Sequence, residues 1–327
     1  MDNNDYNFGT ESEKQLFIKT VGIRYRRIAE KGTTASDLCI AAANKLMEQI
    51  GWERSEIKIL IFISQTPDYQ IPFTASIIQD KLSLTKDCMA FDINLGCSGY
   101  VYGLSIAASL LNSLSAGKAL LLVGDCSSHC ISTNDKSVTP LFSDAGSATA
   151  LEKKEGETMS FNLQTDGNEF DDIIIQDGGM KSPFSSDSLL YKEIEPGINR
   201  AAINMSLDGL KIFNFALREI PGNVNNLLAH SIIDVAEIET AFFHQANLLM
   251  NESIRKKLKI NADKVPYSLY EFGNTSSASI PITICNKIHN KETKPKTVLL
   301  CGFGVGLSWG SAIADLSSAK ILPIIEV

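Results

Sequence analysis

Cys97 stands where a nucleophile is expected, in the segment FDINLGCSGYVYGL. An apolar run ends just before it, Gly96 permits a tight turn, and a helical pattern begins at about the cysteine. A helix amino end carries roughly half a positive charge, and its N–H groups can hold an oxyanion. An arbitrary cysteine is more often a packing residue, but this placement predicts a lowered thiol pKa and a nucleophilic role.

Two further side chains suit a thiol-dependent reaction. His244 follows the apolar run TAFF and is expected at the carboxyl end of a strand, where ligands bind in α/β sheets. Asn274 follows Gly273 in EFGNTSSASIP, at a predicted helix start where asparagine is also a common N-cap. A lone histidine or a capping asparagine is more often structural than catalytic, and the residues alone leave that choice open.

The glycine-rich segment GFGVGLSWG (302–310) follows another apolar run, as a dinucleotide-binding turn would. The residues after it form a second apolar stretch without helical periodicity, so the helix that such a turn requires is missing from the pattern. The segment instead predicts a glycine hairpin, whose backbone N–H groups are candidate oxyanion donors.

Seven cysteines are scattered along the chain, an odd number that argues against a disulfide framework and for reduced thiols. Cys126, His129 and Cys130 form the only cluster that suggests a metal. Three candidate ligands within five residues, with no second pair elsewhere, do not match a zinc spacing. We therefore predict no metal site.

Composition and charge exclude several classes of protein. Of the 327 residues, 44% are hydrophobic and 21% charged, which is enough apolar chain for a large core. The net charge of -8 repels phosphate backbones, so no nucleic-acid partner is expected. No apolar run approaches the roughly 20 residues that span a bilayer, and the polar, acidic amino end does not resemble a secretory signal. We expect a cytoplasmic protein without membrane insertion.

The elements that must position these residues are typical of an α/β protein. Short apolar runs that indicate strands buried on both faces alternate with helical patterns. Helices are predicted over 36–51 and 98–117, each ending at its final glycine. The predicted strands are 58–64, 89–94, 118–124, 240–246 and 296–302.

The chain also shows signs of an internal duplication. Glu56-Ile57 before KILIFIS matches Glu237-Ile238 before TAFFHQA at an offset of 181 positions, and KALLLVG matches KTVLLCG at an offset of 178. Cys97 and Asn274, at the similar offset of 177, each precede a helix rich in small residues. We predict two α/β halves, 1–155 carrying the cysteine and 156–327 carrying the histidine and asparagine, with the two helix starts pointing at one centre. Buried strands resemble one another, so coincidence remains an alternative.

These segments together resemble the 3-oxoacyl-acyl-carrier-protein synthase III (ketoacyl synthase III) family of the thiolase superfamily. The motifs around Cys97, His244, Asn274 and 302–310 occur in the family's order and spacing, over nearly the whole chain. GIRYRR and TPDYQIP fit the same family. The resemblance implies a thiolase-like five-layered αβαβα fold from two duplicated α/β halves, and a homodimer.

The resemblance also implies a ping-pong condensation with Cys97, His244 and Asn274 as catalytic residues. Cys97 would take an acyl group from a thioester on coenzyme A or on the phosphopantetheine of acyl carrier protein, without a further cofactor. His244 and Asn274 would then stabilise the enolate formed as malonyl-acyl carrier protein loses CO2. The N–H groups of Cys97 and Val305 would hold the other oxyanion, although the family usually has glycine at the position of Val305.

Several positions depart from the family pattern. Leu16 and Thr20 stand where a Trp and an Arg commonly bind coenzyme A, and Lys136 and Leu210 replace an Arg and an Asn of that pocket. We therefore hypothesise a donor on acyl carrier protein, or an unusual coenzyme A ester. Family members also usually begin with a strand ahead of the segment seen here, so an open sheet edge is expected.

The helix NESIRKKLKI brings Arg255, Lys256, Lys257 and Lys259 together on an otherwise acidic protein. Such a run is usually a solvated face, while the resemblance makes it an equally good docking surface for an acidic carrier protein. Two other functions remain open. One is acyl transfer to an oxygen or nitrogen nucleophile without decarboxylation. The other is a non-catalytic dimer partner, which would be expected to lack one of the three catalytic side chains.

Overall fold

The computed structural model of the chain describes residues 1–114, 117–154, 156 and 158–327. Within these residues the α-helices are α1 Glu11–Val21, α2 Ala35–Ile50, α3 Thr74–Lys81, α4 Gly99–Ser113, α5 Gly209–Ser231, α6 Leu248–Leu258, α7 Leu269–Phe272 and α8 Ser279–Ile288. The strands are β1 Ile57–Ile63, β2 Met89–Ile93, β3 Lys118–Asp125, β4 Ala145–Glu152, β5 Ser160–Thr165, β6 Ile173–Ile174, β7 Lys192–Glu195, β8 Ile198–Arg200, β9 Ser206–Leu207, β10 Thr240–Phe243, β11 Val298–Gly304 and β12 Ser308–Ala314.

Two four-stranded sheets form the frame of the molecule. The first has the order β2-β1-β3-β4, with β1 parallel to β2 and β3, and β4 antiparallel to β3. The second has the order β10-β11-β12-β5, with β10 parallel to β11 and the remaining pairs antiparallel. The five apolar runs predicted as strands are β1, β2, β3, β10 and β11, and the predicted glycine hairpin joins β11 to β12.

Three apolar interfaces stack the sheets and helices into five layers. α2 and α3 pack on the outer face of the first sheet, and α5 and α6 on the outer face of the second. α4 and α8 lie between the two sheets, where side chains of both sheets meet them in one core. Because each sheet is covered on both faces, its parallel strands are mostly apolar. The predicted αβαβα architecture is confirmed.

The two sheets repeat one arrangement, as the predicted duplication requires. In each, a parallel pair (β1 and β3, or β10 and β11) is followed by an antiparallel hairpin partner (β4 or β12). The predicted division between 155 and 156 falls between β4 of the first sheet and β5 of the second. Residue 155 itself lies outside the described residues, and the exact boundary stays a prediction.

The two sheets differ at one edge. β12 pairs with both β11 and β5, whereas β4 pairs with β3 and is the last strand of the first sheet in the described part of the chain. The family resemblance predicts an open sheet edge without specifying the strand, and β4 is one of the two edge strands of this sheet.

The helix that follows Cys97 is shorter than predicted. α2 ends as expected, with Gly51 in the left-handed conformation as its C-cap. α4 instead ends at Ser113 with Leu114 as an extended C-cap, so the prediction that it runs to Gly117 is wrong. Residues 115 and 116 of the predicted helix lie outside the described residues.

Candidate active site

Cys97 lies in the turn between β2 and α4, two residues before the helix begins, and is only 8% exposed. Backbone N–H groups of Cys97 and Val305 both interact with its sulfur. Gly304 passes so close that a Cβ there would lie 3.1 Å from Cys97 Sγ. Two backbone donors therefore meet at the thiol, in the arrangement that an oxyanion hole requires.

The expected lowering of the Cys97 pKa is wrong. Burial raises the pKa of the Cys97 thiol to about 12, against the hydrogen bonds from Ser276 and from the N–H groups of Cys97 and Val305. The negative charge of Asp125 acts in the same direction as burial. Desolvation outweighs the helix end here because the side chain is enclosed by both halves. The resting residue is a neutral thiol.

His244 follows β10 directly, as the sequence predicts. Its backbone N–H donates to the carbonyl of Cys301 at 2.8 Å. Burial lowers the pKa of its imidazole to about 3, opposed by a hydrogen bond to the backbone of Ser276. The imidazole is therefore neutral at physiological pH.

Ser279 favours one tautomer of this neutral ring. Its Oγ lies 2.7 Å from His244 Nδ1 and also accepts the backbone N–H of Gln245 at 3.3 Å. With the oxygen engaged as an acceptor, the hydroxyl proton is directed to Nδ1. The ring proton then sits on Nε2, which makes His244 a hydrogen-bond donor at that atom.

Asn274 is buried at the turn that leads into α8. Its Oδ1 accepts the N–H of Ser276 at 2.9 Å, and its backbone pairs with Leu141 and Ser143. The amide oxygen therefore caps the following turn, as an N-cap asparagine does. The Oδ1 and Nδ2 atoms of the Asn274 amide point in different directions, so this orientation presents the Nδ2 donor away from the turn. Capping and catalysis are therefore compatible.

Ser276 is the point at which the three predicted side chains meet. Its Oγ lies 3.9 Å from Cys97 Sγ, its N–H binds Asn274, and its backbone hydrogen-bonds to His244. Ser276 also has a φ of 48°, an unusual conformation for a residue with a side chain. The structure thus brings Cys97, His244 and Asn274 around one residue.

The sequence analysis missed Ser276, Ser279 and Asp125. The run Thr275–Ser279 was identified only as a source of helix caps. A charged residue at the carboxyl end of a buried strand, as Asp125 is for β3, was a signal for a functional position. The sequence does not show that Asp125 of the first half contacts the serine segment of the second half, and this contact gives these side chains their partners.

The predicted docking helix has fewer available cations than its sequence suggests. Arg255 is paired with Glu252 at 2.7 Å and donates to the carbonyl of Ile260. Lys256 and Lys257 are exposed on α6, and Lys257 donates to the carbonyl of Leu217. A docking role for Arg255, Lys256 and Lys257 stays a prediction, with the two lysines as its accessible part.

The four departures from the coenzyme A pocket are at or near the surface. Leu16 on α1 and Leu210 on α5 are 64% and 71% exposed, and Thr20 is half-buried. Lys136 lies 4.0 Å from Glu13, which neutralises part of its charge. No aromatic or guanidinium group occupies these positions to stack on adenine or bind its phosphates.

Neither a membrane span nor a metal cluster is found in the part of the chain that the structure describes. No helix there has the length and apolar character needed to cross a bilayer. The Cys126, His129 and Cys130 cluster does not bring three ligand side chains together.

The fold and the site define a thiolase-like acyltransferase, because the two sheet halves enclose a cysteine thiol, with two backbone N–H groups at its sulfur, and a neutral histidine. Comparisons with known proteins specify the family. The model of "3-oxoacyl-[acyl-carrier-protein (ACP)] synthase III" matches residues 91–167, and the model of its C-terminal part matches 228–316.

Full-length relatives agree with these matches. A putative 3-oxoacyl-[acyl-carrier-protein] synthase 3 of Campylobacter jejuni is 37% identical over 312 residues, which are 93% of this chain and 86% of that protein. A β-ketoacyl-[acyl-carrier-protein] synthase III of Streptococcus agalactiae is 33% identical over 96% of this chain and 94% of its own. A crystal structure of 3-oxoacyl-(acyl-carrier protein) synthase from Burkholderia xenovorans superposes with a TM-score of 0.92 at 37% identity, covering 100% of this chain and 93% of that one. The chain belongs to the 3-oxoacyl-acyl-carrier-protein synthase III family, and the predicted family is confirmed.

Proposed function

We propose that this protein loads an acyl group on Cys97 and condenses it with malonyl-acyl carrier protein, releasing CO2 and a 3-oxoacyl product. The observation that carries the proposal is the convergence of Cys97, His244 and Asn274 on Ser276. Their presence together also removes the main reason for considering a non-catalytic dimer partner.

The first half-reaction uses the thiol and backbone donors. Cys97 Sγ attacks the donor thioester carbonyl and gives up its proton, and the N–H groups of Cys97 and Val305 hold the resulting oxyanion. The C–S bond to the donor then breaks, and the departing thiolate takes up the proton. Because the resting thiol is neutral, ionisation of Cys97 must accompany donor binding rather than precede it.

The second half-reaction uses the side-chain donors. His244 Nε2 and Asn274 Nδ2 donate to the malonyl thioester oxygen, which becomes negative as the C–C bond to CO2 breaks. The enolate carbon attacks acyl-Cys97, the new C–C bond forms, and the cysteine leaves as a thiolate. A neutral histidine suits this role because it donates a hydrogen bond without having to lose or gain a proton.

The test is condensation with malonyl-acyl carrier protein labelled in its free carboxyl group. We expect labelled CO2 and a 3-oxoacyl product in equal amounts. Acyl transfer from Cys97 to an alcohol or amine, without CO2 release, would replace this proposal by the non-decarboxylating alternative.

The donor is proposed to be an acyl-acyl carrier protein or an unusual coenzyme A ester. The exposed Leu16 and Leu210 offer no stacking or phosphate-binding group to ordinary coenzyme A. Intact-protein mass spectrometry after incubation with a panel of acyl thioesters identifies the donor by the mass added to Cys97. Efficient acetylation by micromolar acetyl-CoA would contradict this choice.

Carrier-protein docking at Lys256 and Lys257 is a further part of the proposal. Their charges lie on α6, the helix that follows the His244 segment in the chain, and complement an acidic partner. The double variant Lys256→Glu and Lys257→Glu is expected to raise KM for malonyl-acyl carrier protein about tenfold and to leave kcat within about twofold. The double variant Lys45→Glu and Lys86→Glu, at two exposed positions of the other half, is the control with an equal charge change. An equal rise in both variants would exclude docking at α6.

A homodimer is proposed from the exposed edge of the first sheet. β2 is an edge strand with partly exposed side chains, and the loop before α3 exposes Tyr69, Phe73 and Ile71, the last at 89%. Exposed apolar side chains beside an edge strand are typical of a protein–protein interface. Light scattering is expected to give twice the 35.7 kDa chain mass, and Ile71→Asp to weaken the dimer. A 35.7 kDa particle at micromolar concentration would contradict the proposal.

A further inference from the structure

Asp125 is a buried carboxylate that the mechanism above does not use. It is the last residue of β3 and is 1% exposed. Its Oδ1 accepts the Gln65 N–H at 2.7 Å and the Ser64 hydroxyl at 3.2 Å, both at the end of β1. Its Oδ2 accepts the Ser277 hydroxyl at 2.6 Å and the Ser277 N–H at 3.2 Å. One oxygen thus holds the first half of the molecule and the other holds the second.

The segment held by Oδ2 carries the groups that act on the malonyl thioester. Ser277 lies between Ser276, whose N–H binds Asn274, and Ser279, whose hydroxyl binds His244 Nδ1. Ser276 has a left-handed backbone conformation, which is unfavourable for a residue that carries a side chain. Such a turn persists only when its surroundings hold it, and the two bonds from Ser277 to Asp125 do so.

An amide in place of the carboxylate would break one of these connections. Each oxygen of Asp125 accepts a backbone N–H, from Gln65 on one side and Ser277 on the other. A backbone N–H cannot be turned round to accept a hydrogen bond, so both positions need an acceptor. Asparagine supplies one oxygen and one NH2 group, and its NH2 group would face a donor whichever way it turned.

The ionisation behaviour of Asp125 agrees with this arrangement. Burial raises the pKa of the carboxyl, and hydrogen bonds from Ser277, Gln65 and Ser276 oppose the rise. All the groups that contact the carboxylate oxygens are donors, so the site is built around an acceptor. The Ser276 hydroxyl that touches Cys97 is one of them.

We propose that Asp125 is a positioning residue that fixes the distance of Asn274 and His244 from Cys97 by bonding the end of β1 to Ser277. It does not touch substrate and acts through the 274–279 segment. This inference rests on the proposed function and adds to it the group that aligns the donors of one half with the nucleophile of the other. The decarboxylation step depends on it, whereas acylation of Cys97 depends on the backbone of α4 and of the 302–310 hairpin.

The test separates the two half-reactions in Asp125→Asn. We expect malonyl-acyl carrier protein decarboxylation, at saturating substrate, to fall about 10- to 100-fold, because displacing a catalytic group by an ångström has an effect of that size. Acylation of Cys97, followed by intact mass, should stay within about threefold or rise, because the negative charge that raises its thiol pKa is gone. A purely structural loss would lower both steps together.

Asp92→Asn is the matched control. Each oxygen of Asp92 also accepts a backbone N–H, from Thr74 and Ala75 at 2.6 Å, but these bonds hold the start of α3. This variant should lose stability in the same way and change neither half-reaction by more than about threefold. If Asp125→Asn does not fold, Ser277→Ala decides the question, since it leaves the carboxylate and removes its shortest hydrogen bond. We expect a fall of about tenfold in decarboxylation for it.

Failure of this inference differs from failure of the proposed function. If the wild-type protein releases no CO2 from malonyl-acyl carrier protein, the proposed function is wrong. If the wild type releases CO2 and Asp125→Asn or Ser277→Ala does so at the same rate, or loses acylation equally, Asp125 does not position the decarboxylating donors.

Discussion

The two helix starts that face each other in the site are built in different ways. At α4 the groups around the thiol are backbone groups, since Cys97 lies two residues before the helix and N–H groups of Cys97 and Val305 meet its sulfur. At the approach to α8 the working groups are side chains, His244 and Asn274. These are held by Ser279, Ser276 and, through Ser277, by Asp125.

This difference predicts which substitutions each half-reaction should tolerate. The backbone donors are fixed by the sheet and by the glycines that let the β11–β12 hairpin lie close to Cys97. Acylation should therefore be sensitive to added volume at the thiol. Side-chain donors depend on a chain of hydrogen bonds, so decarboxylation is sensitive to single-atom changes several residues away. The two kinds of perturbation should therefore separate in the laboratory.

Gly304→Ala should have the largest effect and should fall on acylation. The new Cβ would lie 2.8 Å from Cys97 Cβ and 3.1 Å from its Sγ, closer than packed side chains allow. We expect loading of Cys97 to fall by about 100-fold or more, measured by intact mass. Gly222→Ala, where a Cβ meets no atom within 4 Å, is the control. Normal loading of the Gly304 variant would mean that the strand is not packed against the thiol.

Asn274→Asp should affect the other half-reaction. Aspartate keeps an oxygen for the Ser276 N–H, so the cap survives, but it replaces the Nδ2 donor by a negative charge. Decarboxylation should fall about 10²- to 10³-fold, as for loss of an oxyanion donor, while acylation changes little. The comparison is sharpened by Asn274→Ala, which loses cap and donor together. Retained CO2 release in Asn274→Asp would show that the amide acts only as a cap.

Ser279→Ala tests the positioning of His244 with a smaller effect. The imidazole remains, but Nδ1 loses the partner at 2.7 Å that places the ring proton on Nε2. We expect decarboxylation to fall about tenfold. Acylation of Cys97 in the same preparation is the internal control, and it should be unchanged. An unaltered rate of CO2 release would mean that the tautomer is set elsewhere.

The buried imidazole of His244 should make the stability of the protein depend on pH. The unfolded chain protonates His244 near its usual pKa of about 6.5, whereas in the folded state the pKa is lowered to about 3. Between these values the unfolded state binds more protons, so the free energy of unfolding decreases on acidification by up to about 1.4 kcal/mol per pH unit. Urea unfolding at pH 5 and 7 should show a smaller decrease in His244→Gln. Equal decreases would contradict a buried neutral imidazole.

Much of the fold was predictable because its strands are continuous apolar runs. β1, β2, β3, β10 and β11 each overlap a predicted strand, with ends that differ by up to three residues, and the non-helical pattern after the glycines identified the β11–β12 hairpin. The near-constant offset between the halves also predicted that Cys97 and Asn274 would approach one centre. These features depend on local sequence, which a single chain displays directly.

The rest depends on contacts between distant segments. The Cys97 pKa was predicted in the wrong direction because the helix end is visible in sequence, whereas enclosure by the second half is not. The role of Ser279 appears only when it reaches His244, and that of Asp125 only when Ser277 meets it across the two halves. The end of α4 was misplaced because Gly117 was taken as its C-cap, whereas the helix ends at Ser113 with Leu114 in an extended conformation.

The central claim is that Cys97 with its backbone donors performs acylation, while His244 and Asn274 perform decarboxylation. A single turnover of acyl-Cys97 enzyme with carboxyl-labelled malonyl-acyl carrier protein tests this claim most directly. The account predicts that CO2 release and loss of acyl from Cys97 occur together, one for one, and that in Asn274→Asp the acyl group stays on the cysteine. Loss of the acyl group without CO2, or loading of a residue other than Cys97, would contradict it.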